Sequence, residues 1–218
     1  MRNVALVDKN LVDALAITGA HDEARRRAER AVALDARRVA LAPNDRQARL
    51  DAAISYAQLA TRLPDGAEQL ENYERSLQLR EQVAREDSSN RFARLLLRRS
   101  LAQVARARLL AGNADGAREA ALRFLREFAD DIEGPATQVE PQWRGWAHLV
   151  AATTDGRMGR YAQGCQRLAL AIQAFVAAES PMFRTPRGDV MVARSALPGC
   201  AAGADIASSR FPEASQAR

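Results

Sequence analysis

Aromatic residues are scarce in this chain, at 5%, and lysine is nearly absent: Lys9 is the only one among 32 basic residues. Two cysteines and two histidines are too few for a zinc-finger set or a disulfide scaffold. Twelve glycines and eight prolines in 218 residues exclude a collagenous or low-complexity chain. No run approaches the roughly 18 apolar residues that a membrane helix needs. The glycine-rich stretch Gly112-Asn113-Ala114-Asp115-Gly116 has no Gly-Lys-Ser/Thr after it, so it is no phosphate loop. Neither Gly-x-Ser-x-Gly nor His-Glu-x-x-His occurs. Asp8, Lys9 and Asp13 interrupt any apolar core that a signal peptide would place at the start. The expected compartment is the cytoplasm, and Cys165 and Cys200 are expected to be reduced thiols.

What is present is 47% hydrophobic and 27% charged residues, with a formal net charge of +5. The two signs are interspersed. Acids precede bases by one helical turn at Asp22–Arg26, Glu23–Arg27, Asp45–Arg49, Glu71–Arg75, Glu81–Arg85 and Glu119–Arg123. Pairs in this order stabilise exposed helices by about 0.2–0.5 kcal/mol each. They describe solvated helix faces, not a nucleic-acid surface, and a nucleic-acid partner is not expected.

The strongest signal is internal repetition. Four segments start at His21, Ala67, Ala114 and Tyr161 and align on Ala24, Gln69, Ala117 and Gly164, at spacings of 45, 48 and 47 residues. Four positions on come Ala28, Tyr73, Ala121 and Leu168; seven positions on come Ala31, Ser76, Phe124 and Ala171. Small or apolar residues at i, i+4 and i+7 make one helical stripe. A turn precedes each segment, at Gly19, Pro64–Gly66, Gly112–Gly116 and Gly156–Gly159, and a first helix precedes each turn. Those helices read as Asn3–Thr18, Asp45–Arg62, Asn90–Ala111 and Pro141–Thr154, with start signals at Asn44, Ser88/Ser89 and Pro141. No alternating strand pattern appears. One hairpin cannot bury its own stripe, whereas stacked hairpins can. The expected fold is all-α: a superhelix (solenoid) of about four hairpins, at 3–41, 45–87, 90–132 and 141–179. Prolines, alanines and serines mark 180–218 as a tail, with a short capping helix near Asp189–Ala196 and disorder after Gly199.

Gly19-Ala20-His21-Asp22-Glu23-Ala24 with Ala31, Gly112 to Ala117, Tyr73, and the inter-repeat turn Leu41-Ala42-Pro43-Asn44-Asp45 together resemble tetratricopeptide (TPR) repeats. The likeness covers residues 3–179. The spacing near 47 exceeds the family's period of about 34, and Gln69 and Gly164 stand where alanine is usual. The run Asn72 to Asp87 is similar to the long-repeat C-terminal modules of some bacterial serine/threonine protein kinases, although no kinase motif is present. The resemblance implies a non-catalytic scaffold that binds a peptide or protein segment in a concave groove. A regulatory or docking part of a bacterial kinase-like signalling protein is the alternative, and an Arg-rich nucleic-acid binder ranks below both.

In such a groove, first-helix positions Arg99, Gln103 and Arg106 are expected to face the ligand, with Arg62 beside them and Asp51, Ser55 and Gln58 as their matches. Guanidinium forks suit carboxylates, so an acidic partner is expected, with no cofactor, metal or membrane. The other reading is that these arginines pair with acids of adjacent helices. His21 and His148 are too far apart and too few for metal chemistry. Cys165 reads as a small buried hydrophobe, and Trp143 and Trp146 as packing residues or peptide contacts. Asp130, Asp131 and Glu133 read as a wet helix end.

Overall fold

The computed structural model describes residues 1–128, 140–177 and 187–200. Among them are nine helices and no strand. The helices are α1 (Arg2–Ile17), α2 (His21–Leu41), α3 (Arg46–Arg62), α4 (Ala67–Glu86), α5 (Arg91–Leu110), α6 (Ala114–Glu127), α7 (Glu140–Arg157), α8 (Tyr161–Ala177) and α9 (Arg187–Ser195). They fall into two compact units, Met1–Asn113 and Ala114–Arg218. Within the first, each helix packs on the next in sequence, from α1 to α5; within the second, α6 packs on α7, and α7 on α8 and α9. The acidic cluster at 130–133 and the tail beyond Cys200 lie outside the described residues.

The helix ends follow from local chemistry. Asp45 accepts hydrogen bonds from the backbone N–H groups of Gln47 and Ala48, and Asn90 accepts one from Ala93, so these two cap α3 and α5. The caps therefore lie one residue past Asn44 and one past Ser89. Gly19, Gly112 and Gly159 adopt positive φ after α1, α5 and α7, the left-handed step that closes a helix. α7 runs three residues beyond the expected Thr154, through Gly156, and its turn begins only after Arg157.

The repeat stripe is the buried face of every second helix. Ala24, Ala28 and Ala31 of α2 are buried; so are Gln69, Tyr73 and Ser76 of α4, Ala117, Ala121 and Phe124 of α6, and Gly164, Leu168 and Ala171 of α8. One further turn on, at i+11, Asp35, Arg80, Phe128 and Phe175 are buried as well. The stripe thus ends on a charge in α2 and α4 and on an aromatic ring in the second unit. Small residues let partner backbones approach: Ala28 meets Val12, Leu59 and Leu63, and the Ser76 hydroxyl donates to the Ala53 carbonyl at 2.7 Å. A fully buried valine such as Val12 contributes about 1.5–3 kcal/mol.

The second unit closes around Leu149, Leu168, Ile172 and Phe175, with Trp146 edge-on to Phe175 at 5.6 Å. Trp146 is thus a packing residue. Cys165 and Cys200 are joined by a disulfide, with Cα atoms 5.5 Å apart. This corrects the expectation of two reduced thiols. Their spacing of 35 residues hid the pairing, because only the return of α9 onto α7 brings them together.

Candidate functional site

The first helices of unit 1 share a face, and it carries the four residues singled out in the sequence. Arg62, at the end of α3, reaches back to Asp13 of α1 at 3.0 Å, and Gln58 Nε2 donates to the Lys9 carbonyl of α1 at 3.2 Å. Arg106 of α5 pairs with Asp65, in the turn after α3, at 3.4 Å. Arg99 of α5 lies near Asp13 and Tyr73. Burial lowers its pKa from the ordinary 12.5, while the Tyr73 phenol and the Asp13 carboxylate act the other way. Yet Arg99 keeps an exposed surface. Gln103, one turn on, is buried, and its Oε1 accepts no hydrogen bond.

Two of the acids that hold these arginines are themselves mostly exposed: Asp13 at 65% and Asp65 at 52% of the side chain. Such pairs are worth about 0–1 kcal/mol and exchange readily with a competing carboxylate. Both readings therefore meet at Arg62 and Arg106, since each of these two forks is engaged by an acid that a ligand could displace.

The expected matches in the second hairpin need correcting. The caps Asp45 and Asn90 set the register between α3 and α5 at 45 residues, which makes Gln58 the counterpart of Gln103. Gln58 Oε1 is also buried without a donor. Asp51 and Ser55 are turned inward instead. Asp51 binds Arg2, Arg38 and Gln47, and Ser55 donates to Asp35 at 2.8 Å.

A buried ionic network on the same helices escaped the sequence reading. Asp35 has no exposed surface and accepts from Lys9 at 2.9 Å, Arg38 at 2.9 Å and Ser55. Asp8, also fully buried, takes two bonds from Arg30, and the Arg30 hydrogen bond holds its pKa below 3.8. In the second unit Asp155 gathers Arg118 of α6 at 2.9 Å and Arg167 of α8. Arg80 is the exception. It is 2% exposed, donates only to the Leu96 carbonyl and the Ser100 hydroxyl, and leaves its Nε unfilled. Apart from Asp35–Arg38 within α2, these contacts join different helices, so Asp–Arg and Asp–Lys spacing alone could not show them. The i+11 position of the repeat could have revealed Asp35 and Arg80.

An open cleft of about 630 Å³ lies between α2 and α4, lined by Val39, Pro43, Arg49, Arg75, Leu79 and Arg85 among others. Arg49 there is held by Glu86 in a two-pronged pair at 2.6 Å, not by the nearer-in-sequence Asp45, which caps α3. Of the helical pairs, Glu23–Arg27 forms at 2.7 Å.

His148 of α7 is half-buried, and its Nδ1 has no partner. Burial, then the nearby Arg144 and Arg167 charges, push its pKa down from 6.5 to about 4. The unfolded chain therefore binds the extra proton over that window and the folded chain does not. Stability present above about pH 6.5 is expected to drain away as pH falls toward 4. His148→Leu should flatten the upper part of this loss in pH-dependent melting, leaving the carboxylate transitions below it.

Among the described residues no three His, Cys, Asp or Glu side chains come together as a metal site, and no helix is long and apolar enough to cross a membrane. No family model, no curated protein and no solved structure matches this chain.

Proposed function

We propose that the chain is a TPR-like helical-repeat scaffold, an α-solenoid of hairpins, that binds an acidic peptide or protein segment without catalysing a reaction. The observation that carries this reading is Gln103 Oε1, buried and without a donor, one turn from the exposed Arg99 and accompanied by Arg62 and Arg106. Buried acceptors are nearly always satisfied, so an open one asks for a donor from outside. A backbone N–H of an extended segment supplies it, and the equivalent Gln58 Oε1 could take the next. Carboxylates of the same segment would displace Asp13 and Asp65 from the arginine forks. The fourfold recurrence of the buried stripe supports the repeat reading.

The test is fluorescence anisotropy with acidic peptides carrying a free C-terminal carboxylate. The control peptides are amidated, with Asn and Gln in place of Asp and Glu. Arg99→Glu should weaken binding about tenfold or more, with unchanged helicity by circular dichroism. Equal affinity for neutral peptides, or an unaffected Arg99→Glu variant, would overturn the reading.

A further inference from the structure

The end of the second unit is a helix held in place by two devices at once. α9 has only nine residues, too few to persist as a helix alone. It is anchored by Leu197, which is 2% exposed and packs into a hole left by two glycines. A Cβ at Gly164 would lie 2.4 Å from Leu197 Cδ2, and one at Gly156 would lie 2.8 Å from it and 2.3 Å from the Ala196 carbonyl oxygen. Ala193 and Val190 add to the same contact. Beside this hole, Cys165 follows Gly164 and Cys200 follows Leu197 by three residues, and the disulfide crosses between them.

We propose that Cys165 and Cys200 are an oxidative modification site, a latch that fastens α9 as the cap of the α7–α8 face. Both cysteines are half-buried, not fully enclosed. Closure follows thiol–disulfide exchange with an oxidised dithiol protein. The thiolate of one cysteine attacks the partner's disulfide and forms a mixed disulfide. The second cysteine's thiolate then displaces the partner's sulfur. The two protons and two electrons lost by the cysteines end on the partner's sulfurs, and the partner leaves as a dithiol. Reduction reverses this and frees the cap, uncovering Leu149, Leu168 and Phe175. This inference is independent of the peptide-binding reading, and it places the working chain in an oxidising environment, against the cytoplasmic expectation.

The experiment has two parts, both on the full chain. Acid-quenched alkylation of freshly isolated protein, read by mass spectrometry, should find both cysteines protected from the alkylating agent; two alkylated cysteines would overturn the proposal. Hydrogen exchange is then followed over residues 187–200 and 161–177 in the oxidised chain, after phosphine reduction, and in Cys200→Ser. Exchange in α9 should speed up by about tenfold or more on reduction, with the same change in the variant. Unchanged protection after reduction would show that the bond latches nothing. Gly164→Ala, with its disulfide intact, should loosen α9 by itself; if it leaves exchange there unaltered, the glycine hole is not part of the latch.

Discussion

Asp35→Ala is expected to lower the stability of unit 1 by about 3–5 kcal/mol, the cost of leaving buried charges without their partner. Lys9 is the reason. Its side chain is 7% exposed, and Asp35 Oδ2 is its close carboxylate at 2.9 Å; Asp51 Oδ1 stands at 3.9 Å. Arg38 and the Ser55 hydroxyl lose the same acceptor. The ammonium cannot reach water without pulling α1 away from α2 and α3. The combination Lys9→Met with Asp35→Leu should recover most of the loss, because well-packed apolar side chains substitute for a buried pair at little cost. Denaturant unfolding followed in unit 1 measures both. A loss below about 1 kcal/mol for Asp35→Ala would mean that water already serves the network.

The opposite sign is expected at the same repeat position one hairpin on. Arg80→Met should raise stability by about 1–3 kcal/mol. No carboxylate pairs with Arg80 among the described residues. Burial first, and then the neighbouring Arg99 charge, push its pKa down to about 9. Since the unfolded value is 12.5, the cost of the buried charge stands in full below about pH 9 and eases only above it. The advantage of Arg80→Met should therefore be constant between about pH 6 and 8. The hydrogen bonds that are lost are replaceable: the Ser100 hydroxyl can turn to the Leu96 carbonyl four residues before it. A destabilised Arg80→Met protein would mean that the guanidinium is an organising contact between α4 and α5.

The two substitutions probe one register position, and the contrast shows how far periodicity reads. The i, i+4 and i+7 stripe is visible in the sequence because close-packed helices tolerate only small or apolar residues there. Its extension to i+11 is masked, because Asp35 and Arg80 look like surface charges until Lys9 of α1 and Ser100 of α5 are seen beside them. Helix ends were legible to within a few residues for the same local reason: capping and left-handed turns depend on adjacent residues. Gly164 looked like a departure from the repeat. Leu197, more than thirty residues away, explains it. The disulfide was illegible for that reason too.

The candidate site divides along the same line. That Arg62, Arg99, Gln103 and Arg106 lie on first helices followed from the repeat alone. That Asp13 and Asp65 answer two of the arginines, and that Asp51 and Ser55 turn inward, depends on contacts between helices. The 45-residue register set by Asp45 and Asn90 identifies Gln58 and Gln103 as equivalent, which the stripe of the second helices, at 48 residues, had displaced.

On the proposed reading, the α1–α3–α5 face of unit 1 receives an acidic segment. Two-dimensional NMR of arginine Nε–Hε resonances, recorded while an acidic peptide is titrated into the full chain, tests it directly. Each arginine reports for itself, assigned by single Arg→Lys variants. The Arg99, Arg62 and Arg106 signals should move together and saturate, with Arg75 and Arg85 still. Movement confined to Arg75 and Arg85, in the cleft between α2 and α4, or no saturable movement at all, would contradict it.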